Sequence, residues 1–385
     1  MRELAARVEG VRRTNLGEIL RLVHHNGALS RAQITALTGL NRSTVADLVG
    51  ALTQQDILAE GNPNPTRRVG RPSPMVSPSD SIVALALNPE VDAIEVAVVG
   101  LGGRVLRRAR RVVDAIPTPA ETIAVTREIV EEWRREELAS TRVIGLGAAI
   151  PGLVRESDGV VRFAPHLGWR EENFGAALTE ALELPVTVGN DASLGALAEW
   201  IFGAARDHEH IVYLNGGASG IGGGLIVHGR LVSGAGGYAG EWGQNAPSVN
   251  DSALRTQDGV LEDEVNRTRL VGLVGLDAPD DSELAQALTA TNDAIQSEVQ
   301  RQQLVLAGAL ANAINALNPS RIVLGGFLAI LHDADPVRLR EYVARYSMRV
   351  PMENVTIRAA ELGAVRLHIG AAEAAFASLL ADPMR

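Results

Sequence analysis

After residue 80, the same predicted order of strands, glycine turns and a helix occurs twice, and this repetition constrains the fold more than any other feature of the sequence. In the first half, apolar runs at 81–99 predict a β-hairpin, and a helix at 119–139 precedes a buried strand that ends at Pro151-Gly152. The second half starts with two glycine-rich strands after residue 210 and closes with a helix at 297–317 and a strand. Two α/β halves of this kind predict a duplicated nucleotide-binding fold with a cleft between them.

Cysteine and lysine are both absent from the 385 residues, which excludes several classes of chemistry. Without cysteine the chain has no disulfide and no thiolate-bound zinc or iron–sulfur cluster. Without lysine it has no P-loop lysine and no Schiff base. The N-terminus is charged and lacks the apolar segment of a secretory signal, and no long uncharged apolar run predicts a membrane helix. We therefore expect a cytoplasmic protein with no membrane contact.

The net charge of −10 is divided unevenly along the chain. Residues 1–79 contain ten arginines and six carboxylates, a balance of +4, so the rest of the chain carries −14. A basic N-terminal segment on an acidic body is the pattern expected where a small domain contacts a polyanion.

The basic segment has the spacing of a helix-turn-helix. Helical periodicity is clear at 15–23, at 31–37 and from 42 to about 54. Ser30 with Gln33 predicts a capping box, and Gly39 suits the turn between the second and third helices. A strand at 57–60 and a basic Arg-Arg-Val-Gly-Arg-Pro tip then predict a wing. The alternative is an ordinary three-helix bundle, which shares the same apolar periodicity.

This module supplies the candidate DNA contacts. Short polar side chains and an arginine at the start of the third helix suit base edges and phosphates, and the extended basic tip suits phosphates or the minor groove. The proline-rich segment after the tip predicts a linker, which gives a DNA-binding domain at 1–79 and a second domain at 80–385. The candidate DNA-binding residues are Arg31, Asn41, Arg42, Ser43, Thr44, Arg67, Arg68 and Arg71.

Seven motifs in the second domain carry a family resemblance. They are Ala149-Ile150-Pro151-Gly152, Ala164-Pro165-His166-Leu167-Gly168-Trp169, Gly189-Asn190-Asp191-Ala192, Ala198-Glu199-Trp200 with Phe202-Gly203-Ala204, Gly220-Ile221-Gly222-Gly223-Gly224, Ala239-Gly240-Glu241-Trp242-Gly243 and Asn318-Pro319 with Val323-Leu324-Gly325-Gly326. In this order they resemble the ROK family of repressors, open reading frames and kinases. The resemblance implies an α/β protein in which a winged helix-turn-helix precedes a two-lobed, actin-like ATPase-fold domain.

The resemblance also implies a sugar site. In the family, Asn and Asp at the positions of Asn190 and Asp191 bind sugar hydroxyls, and the Asp is the base of the kinases. Glu241 and Glu262 match glutamates that bind sugar. Carboxylates accept hydrogen bonds from hydroxyls and can take up a proton, which suits both roles. The candidate effector-binding residues are Asn190, Asp191, Glu241, Gln244, Glu262 and His166.

The chain departs from the family pattern at three places. The kinase motif Asp-x-Gly-x-Thr is replaced by residues 88–92, so that Glu90 stands for the glycine and Glu90 and Asp92 are expected to face the phosphate site. The family's zinc ligands correspond here to Gln244, Ala253, Arg255 and Val260. The Asn that precedes Leu-Gly-Trp in the family is His166. We therefore expect no metal, no cofactor and no kinase activity.

These features predict a transcriptional regulator that acts as a repressor and binds both double-stranded DNA and a sugar-like effector. The alternative is a sugar kinase with an appended DNA-binding domain, which Asp191 and the glycine loop at 220–224 favour. A third possibility, a regulator without a ligand, is disfavoured because the polar set of the sugar site is retained. A homodimer or tetramer is expected, and the apolar segments 290–317 and 365–380 are either its interface or simply core.

Overall fold

The computed structural model describes residues 2–61, 73–217, 220–247, 259–276, 279–289 and 292–385. The predicted wing-tip arginines Arg67, Arg68 and Arg71 lie outside these residues, and so do Ala253 and Arg255 of the altered zinc motif.

The N-terminal module has the predicted order of helices. Ser30 and Gln33 form the capping box, Gly39 adopts a positive φ of 69°, and the Asn41 side chain caps the next helix. The first helix is longer than the predicted 15–23. It begins at Arg2, before the apolar face that is buried from Leu16 onward, and it ends at Asn26. The elements are α1 (Arg2–Asn26), β1 (Leu29–Ser30), α2 (Arg31–Thr38), α3 (Arg42–Gln54), β2 (Leu58–Gly61) and β3 (Met75–Pro78).

The strands of this module form an antiparallel sheet in the order β1-β3-β2, beside the helices. The described part of the wing is thus β2 and β3, which flank the segment that carries the basic tip. The predicted winged helix-turn-helix and the α/β fold class are confirmed.

The first lobe contains a mixed sheet in the order β11-β7-β4-β5-β6. Its strands β4 and β5 form the predicted hairpin, and β4, β7 and β11 run parallel. A small antiparallel sheet, β10-β9-β8, follows the Pro151-Gly152 turn. The elements are β4 (Ile82–Pro89), β5 (Ala93–Gly100), β6 (Arg104–Val112), α4 (Pro119–Arg134), β7 (Arg142–Ile150), β8 (Leu153–Arg155), β9 (Val160–Ala164), β10 (Trp169–Glu172), α5 (Phe174–Leu182), β11 (Val186–Asn190) and α6 (Asp191–Phe202).

The second lobe repeats this topology with the sheet order β14-β13-β12-β15-β16, in which β12, β15 and β16 run parallel. The predicted duplication is therefore present in the described residues. The elements are β12 (Ile211–Gly216), β13 (Ile221–Val227), β14 (Arg230–Leu231), α7 (Leu261–Glu264), α8 (Arg267–Val274), α9 (Asp281–Leu288), α10 (Asp293–Leu317), β15 (Arg321–Gly326), α11 (Phe327–Ala334), α12 (Pro336–Tyr346), α13 (Arg349–Asn354), β16 (Thr356–Ala359) and α14 (Arg366–Ala381).

The two apolar helices that could have formed an interface lie in the core of this chain. Helix α10 buries Val299, Leu306 and Leu310 in the second lobe, and α14 buries Ala371 and Phe376 against the first. By length and hydropathy alone, one helical segment in the described part of the chain, 363–381, could cross a membrane. In the apolar stretch of this segment, 56% is buried inside the protein. Burial of this kind is typical of a core helix.

Candidate functional site

A cleft of about 390 Å³ lies between the two lobes. Its floor is the start of α6. One wall is the Pro151-Gly152 turn with Phe163, Pro165 and His166, and the other wall is the β12–β13 hairpin with Glu241, Gln244 and Glu262. All six predicted effector residues line it. The lining residues are Pro151, Gly152, Leu153, Phe163, Pro165, His166, Asn190, Asp191, Ala192, Asn215, Gly217, Gly220, Ile221, Gly222, Glu241, Gln244 and Glu262.

Asn190 and Asp191 occupy the junction between β11 and α6. The Asn190 side-chain carbonyl accepts from the Ser193 N–H at 2.9 Å and so caps α6, while its amide donates to the Gly152 carbonyl at 3.0 Å. Asn190 therefore fixes both the helix and the neighbouring turn. Because Asn190 ends the strand, the next residue, Asp191, is the first of the helix and lies at the floor of the cleft.

The carboxylate of Asp191 is the most perturbed group of the cleft. Burial raises its pKa from 3.8 to about 6, and the charge of Glu241 acts in the same direction. The Ala192 N–H, which donates to Oδ1 at 2.8 Å, and the charge of Arg366 both oppose the increase. An acid with a pKa near 6 is ionised at neutral pH and accepts hydrogen bonds from hydroxyl donors, but it can also be protonated at a modest cost.

Glu262 and Gln244 form a bonded pair on the opposite wall. Gln244 Nε2 donates to Glu262 Oε1 at 2.6 Å, and the Ile221 N–H donates to Glu262 Oε2 at 3.0 Å. Glu241 lies nearby, and partial desolvation together with the charge of Glu262 raises its pKa. The cleft is thus lined by three carboxylates and by the side-chain amides of Asn190, Asn215 and Gln244, which can accept and donate at several hydroxyls at once.

His166 lies on a single helical turn, Pro165–Leu167, at the rim of the cleft. Gly168 ends this turn with a positive φ of 69°. Trp169 anchors it, because its indole N–H donates to the Pro117 carbonyl at 2.9 Å and its ring packs on Phe174. The imidazole is exposed and can reach a ligand.

The residues present do not fit the zinc ion that the family motif implies. At the described positions of that motif, Gln244 is hydrogen-bonded to Glu262 and Val260 has an apolar side chain. An amide and an aliphatic group are not ligands that bind zinc strongly. The hydrogen bond between Gln244 and Glu262 instead connects the segment that contains Gln244 to helix α7, which follows Val260.

The hairpin that would hold phosphates is also altered. Glu90 and Asp92 were expected to face the phosphate site, yet neither is among the described residues that line the cleft. Asn88 donates to Glu90 at 3.0 Å, and Arg110 donates to Asp92 at 2.7 Å, so both carboxylates are engaged within the hairpin and its neighbour. Charge repulsion between these two carboxylates and a bound phosphate stays a prediction. What the hairpin lacks is the glycine whose backbone could lie against a phosphate.

The predicted DNA contacts of the helix-turn-helix divide into two groups. Arg31 is bound to Glu60 of β2 through two parallel bonds of 2.6 and 2.8 Å, so its guanidinium holds α2 against the wing. Asn41 accepts from the Thr44 N–H and the Ser43 hydroxyl, which completes the cap of α3. Arg42 is exposed, and within the described residues its side chain has no bonded partner. Arg42 is therefore the best placed of these for a phosphate or base.

A polar set that was not predicted from the sequence lies behind the cleft. Asn215 lines the cleft and accepts from the Tyr213 hydroxyl at 3.2 Å. Burial raises the pKa of Tyr213 to about 12, so it is a hydrogen-bond donor and not an anion. Arg366 begins α14 and places its charge near Asp191. Asn215 could have been inferred from its position at the end of the strand that precedes the glycine hairpin; Arg366, 175 positions away from Asp191, carried no local signal.

A model of the ROK family matches residues 85–377, which include both lobes and the cleft. The chain belongs to the ROK family. The predicted resemblance is thereby confirmed, and the two-lobed body with its interlobe cleft is a ROK domain.

Both branches of the ROK family are represented among the relatives. A xylose repressor of Caldicellulosiruptor bescii is 22% identical over 376 residues, 91% of this chain and 94% of the repressor. A glucokinase of Halalkalibacterium halodurans is 28% identical over 240 residues, but these are only 57% of this chain and 72% of the kinase. A solved ROK-family transcriptional regulator, described as a homologue of the E. coli MLC protein, matches with a TM-score of 0.77 at 20% identity and covers 97% of both chains. That likeness shows that the full-length fold, including the N-terminal module, is one found in a known protein.

Proposed function

We propose that this protein is a DNA-binding transcriptional regulator, acting as a repressor, whose affinity for its operator is set by a sugar-like effector in the interlobe cleft. One observation carries the proposal: the cleft keeps the hydroxyl-binding carboxylates while the phosphate-side hairpin and the zinc motif are changed. The similarity of the whole chain to a xylose repressor supports the same assignment.

The chemistry of the cleft favours a small neutral polyol over an anionic ligand. Asp191, Glu241 and Glu262 supply acceptors, and Gln244 and His166 supply donors at the rim. A phosphosugar would meet three carboxylates, with unfavourable charge, whereas a free monosaccharide offers hydroxyl donors to each of them. D-xylose is the first probe to test, because relatives are named xylose repressors, and D-glucose is the second.

Control of DNA binding would follow from a shift in conformational populations. A sugar that contacts both walls of the cleft binds the closed arrangement of the lobes more tightly than the open one, and its binding energy then favours closure. Operators are generally bound by two modules whose spacing matches two half-sites. We infer that the protein acts as a homodimer or tetramer in the cytoplasm, and that closure alters the spacing of its DNA-binding modules.

The second candidate function is a sugar kinase with an appended DNA-binding domain. The similarity to a glucokinase and the presence of Asp191 at the kinase base position favour it. Against it stands the hairpin at 88–92, where a glutamate replaces the glycine that would lie beside the phosphates. We therefore propose that the protein has no kinase activity.

One experiment separates these functions. Purified protein is screened by thermal shift against a library of free sugars, with D-xylose and D-glucose included, since a ligand that binds only the folded state raises the melting temperature. Each sugar that does so is then tested for ADP formation with Mg-ATP, and for release of a DNA duplex that the protein selects from a random library. A regulator releases the duplex without forming ADP; turnover of ATP with any sugar would establish the kinase instead.

A further inference from the structure

Helix α1 of the DNA-binding module is anchored in the ROK domain and does not simply precede it. Leu16, Ile19, Leu20 and Val23 of α1 share one apolar core with the C-terminal helix α14 and with β4 of the first lobe. Gly17 allows the closest approach, because a Cβ there would lie 2.7 Å from the Leu380 carbonyl. The orientation of α1 is therefore fixed by the body of the protein.

A buried polar contact lies within this apolar junction. His24 of α1 and Glu373 of α14 are 0% and 3% exposed, and His24 Nε2 lies 2.9 and 3.0 Å from the two carboxylate oxygens. The Gly102 N–H, in the turn between β5 and β6, donates to His24 Nδ1 at 2.8 Å. Since Nδ1 accepts, the proton of the ring resides on Nε2 and is donated to Glu373. One imidazole thus connects three elements that are distant in sequence.

The ring of His24 also contacts the end of the helix that begins in the cleft. Phe202, the last residue of α6, lies edge-on to it with ring centroids 5.4 Å apart, and Phe376 of α14 lies at 5.7 Å. The first residue of the same helix is Asp191. Helix α6 therefore runs from the cleft floor to His24, over twelve residues or roughly 18 Å.

Helices α6 and α14 are in close backbone contact. Gly370 lies against the Leu194 carbonyl, with no room for a side chain between the two backbones. Arg366 adds an electrostatic contact at the cleft end, where its charge lowers the pKa of Asp191. Closely packed interiors transmit displacement because they have little compressible space. A shift of α6 at Asp191 is thus transmitted both to Phe202 and to α14.

We propose that His24, Glu373 and Phe202 are positioning residues that transmit effector occupancy at Asp191 to helix α1 and so to the DNA-binding module. The inference rests on the proposed function, because it assumes an effector that acts on DNA binding. It assigns a role to three side chains that do not line the cleft, of which His24 and Glu373 are buried and Phe202 is half-buried. It also explains why a hydrogen-bonded pair lies in an otherwise apolar junction, where an apolar pair would hold two helices together equally well.

The test measures operator affinity with and without the sugar identified by thermal shift, in the full-length protein. Effectors typically change the affinity of a coupled site by about 5- to 150-fold, and we expect the wild type to fall in this range. Glu373→Ala and Phe202→Ala should reduce this change to less than about twofold, whereas sugar binding and operator affinity without sugar stay close to wild type. The conservative variants Glu373→Gln and Phe202→Leu should respond in between. Because Gln and Leu preserve most of the packing, they decide the question if an alanine variant fails to fold.

Arg13→Ala is the matched control. The ion pair between Arg13 and Asp382 also joins α1 to the end of the C-terminal helix, at 3.5 Å, but at the surface. This variant should respond like the wild type. An equal loss of response in Arg13→Ala would mean that any contact between these helices matters, and would overturn the specific assignment.

The remaining outcomes are distinguishable. A normal response in Glu373→Ala and Phe202→Ala, or in both conservative variants if the alanine variants do not fold, overturns the inference and leaves the proposed function intact. If no sugar changes the operator affinity of the wild type, the proposed function fails, and the inference fails with it.

Discussion

Replacing Asp191 by asparagine removes the central charge of the cleft with almost no change in shape. Asparagine keeps one acceptor oxygen, and at the first position of α6 it can still accept from the Ala192 N–H. What is lost is the negative charge that sugar hydroxyls would bind. Hydrogen bonds to charged groups contribute about 1.5–3 kcal/mol and neutral ones about 0.5–1.5 kcal/mol, so exchanging a charged acceptor for a neutral one should cost about 1–1.5 kcal/mol. The variant should therefore bind sugar roughly five- to tenfold more weakly.

The structure sets the direction of two further effects. Burial already raises the pKa of Asp191 to about 6, so its charge is costly in the free protein, and asparagine should make the folded state no less stable at neutral pH. The DNA-binding module lies at the far end of α6, so operator affinity without sugar should not change. The expected phenotype is a protein that stays on its operator at sugar concentrations that release the wild type.

The assay is isothermal titration of the sugar, combined with fluorescence anisotropy of a labelled operator. Asp207→Asn is the matched control, because it makes the same chemical change at an exposed position with a φ of 64°, which asparagine tolerates. Sugar affinity in Asp191→Asn within twofold of that in Asp207→Asn would refute the placement of the effector on this carboxylate.

Three other predictions follow from the same contacts. Sugar affinity should be constant above about pH 7 and fall by up to tenfold per pH unit below about pH 6, because the protonated form of Asp191 lacks the charged acceptor. Calorimetry across about pH 5–8 measures this affinity, and a flat pH profile would contradict the prediction. Arg42→Ala should weaken operator binding and reduce the salt slope by about 1, whereas Arg31→Ala should chiefly lower the melting temperature of the module; equal salt slopes in Arg42→Ala and wild type would exclude a phosphate contact. Elemental analysis after dialysis against a chelator should find no stoichiometric zinc. His228→Ala and Glu373→Ala are the controls, because Glu209, His210 and His228 cluster at the surface and His24, His25 and Glu373 cluster elsewhere. One zinc per chain in the wild type and in both variants would contradict the prediction at the altered motif.

Features that depend on neighbouring residues were predictable from the sequence. The capping box at Ser30, the turn at Gly39 and the β4–β5 hairpin each follow from a few adjacent side chains, since caps and turns are local structures. Asn190 and Asp191 were placed correctly at a strand end, because the strand period stops there and a helix begins. The cleft that joins them to Glu262 follows from the duplicated fold.

Features that depend on tertiary contacts were not predictable. The ion pair between Arg31 and Glu60, which lies 29 positions later, has no local signal in the sequence, and a DNA contact of Arg31 stays a prediction. The apolar segment 365–380 was read as either interface or core, and only the packing of α14 on α6 and α1 decides for core. The His24–Glu373 pair joins residues 349 positions apart, and no periodicity marks it. The contact of Asn88 with Glu90 likewise depends on how the hairpin folds, and the spacing of residues 88–92 does not mark it.

The most direct test of the proposed function is the affinity of this protein for its operator duplex, measured by fluorescence anisotropy. The measurement is made without and with the sugar that raises the melting temperature, and a parallel series contains Mg-ATP. The account predicts that the sugar weakens operator binding by at least about fivefold, that Mg-ATP adds nothing, and that no ADP forms. An operator affinity unchanged by a sugar that demonstrably binds, or sugar-dependent formation of ADP, would contradict it.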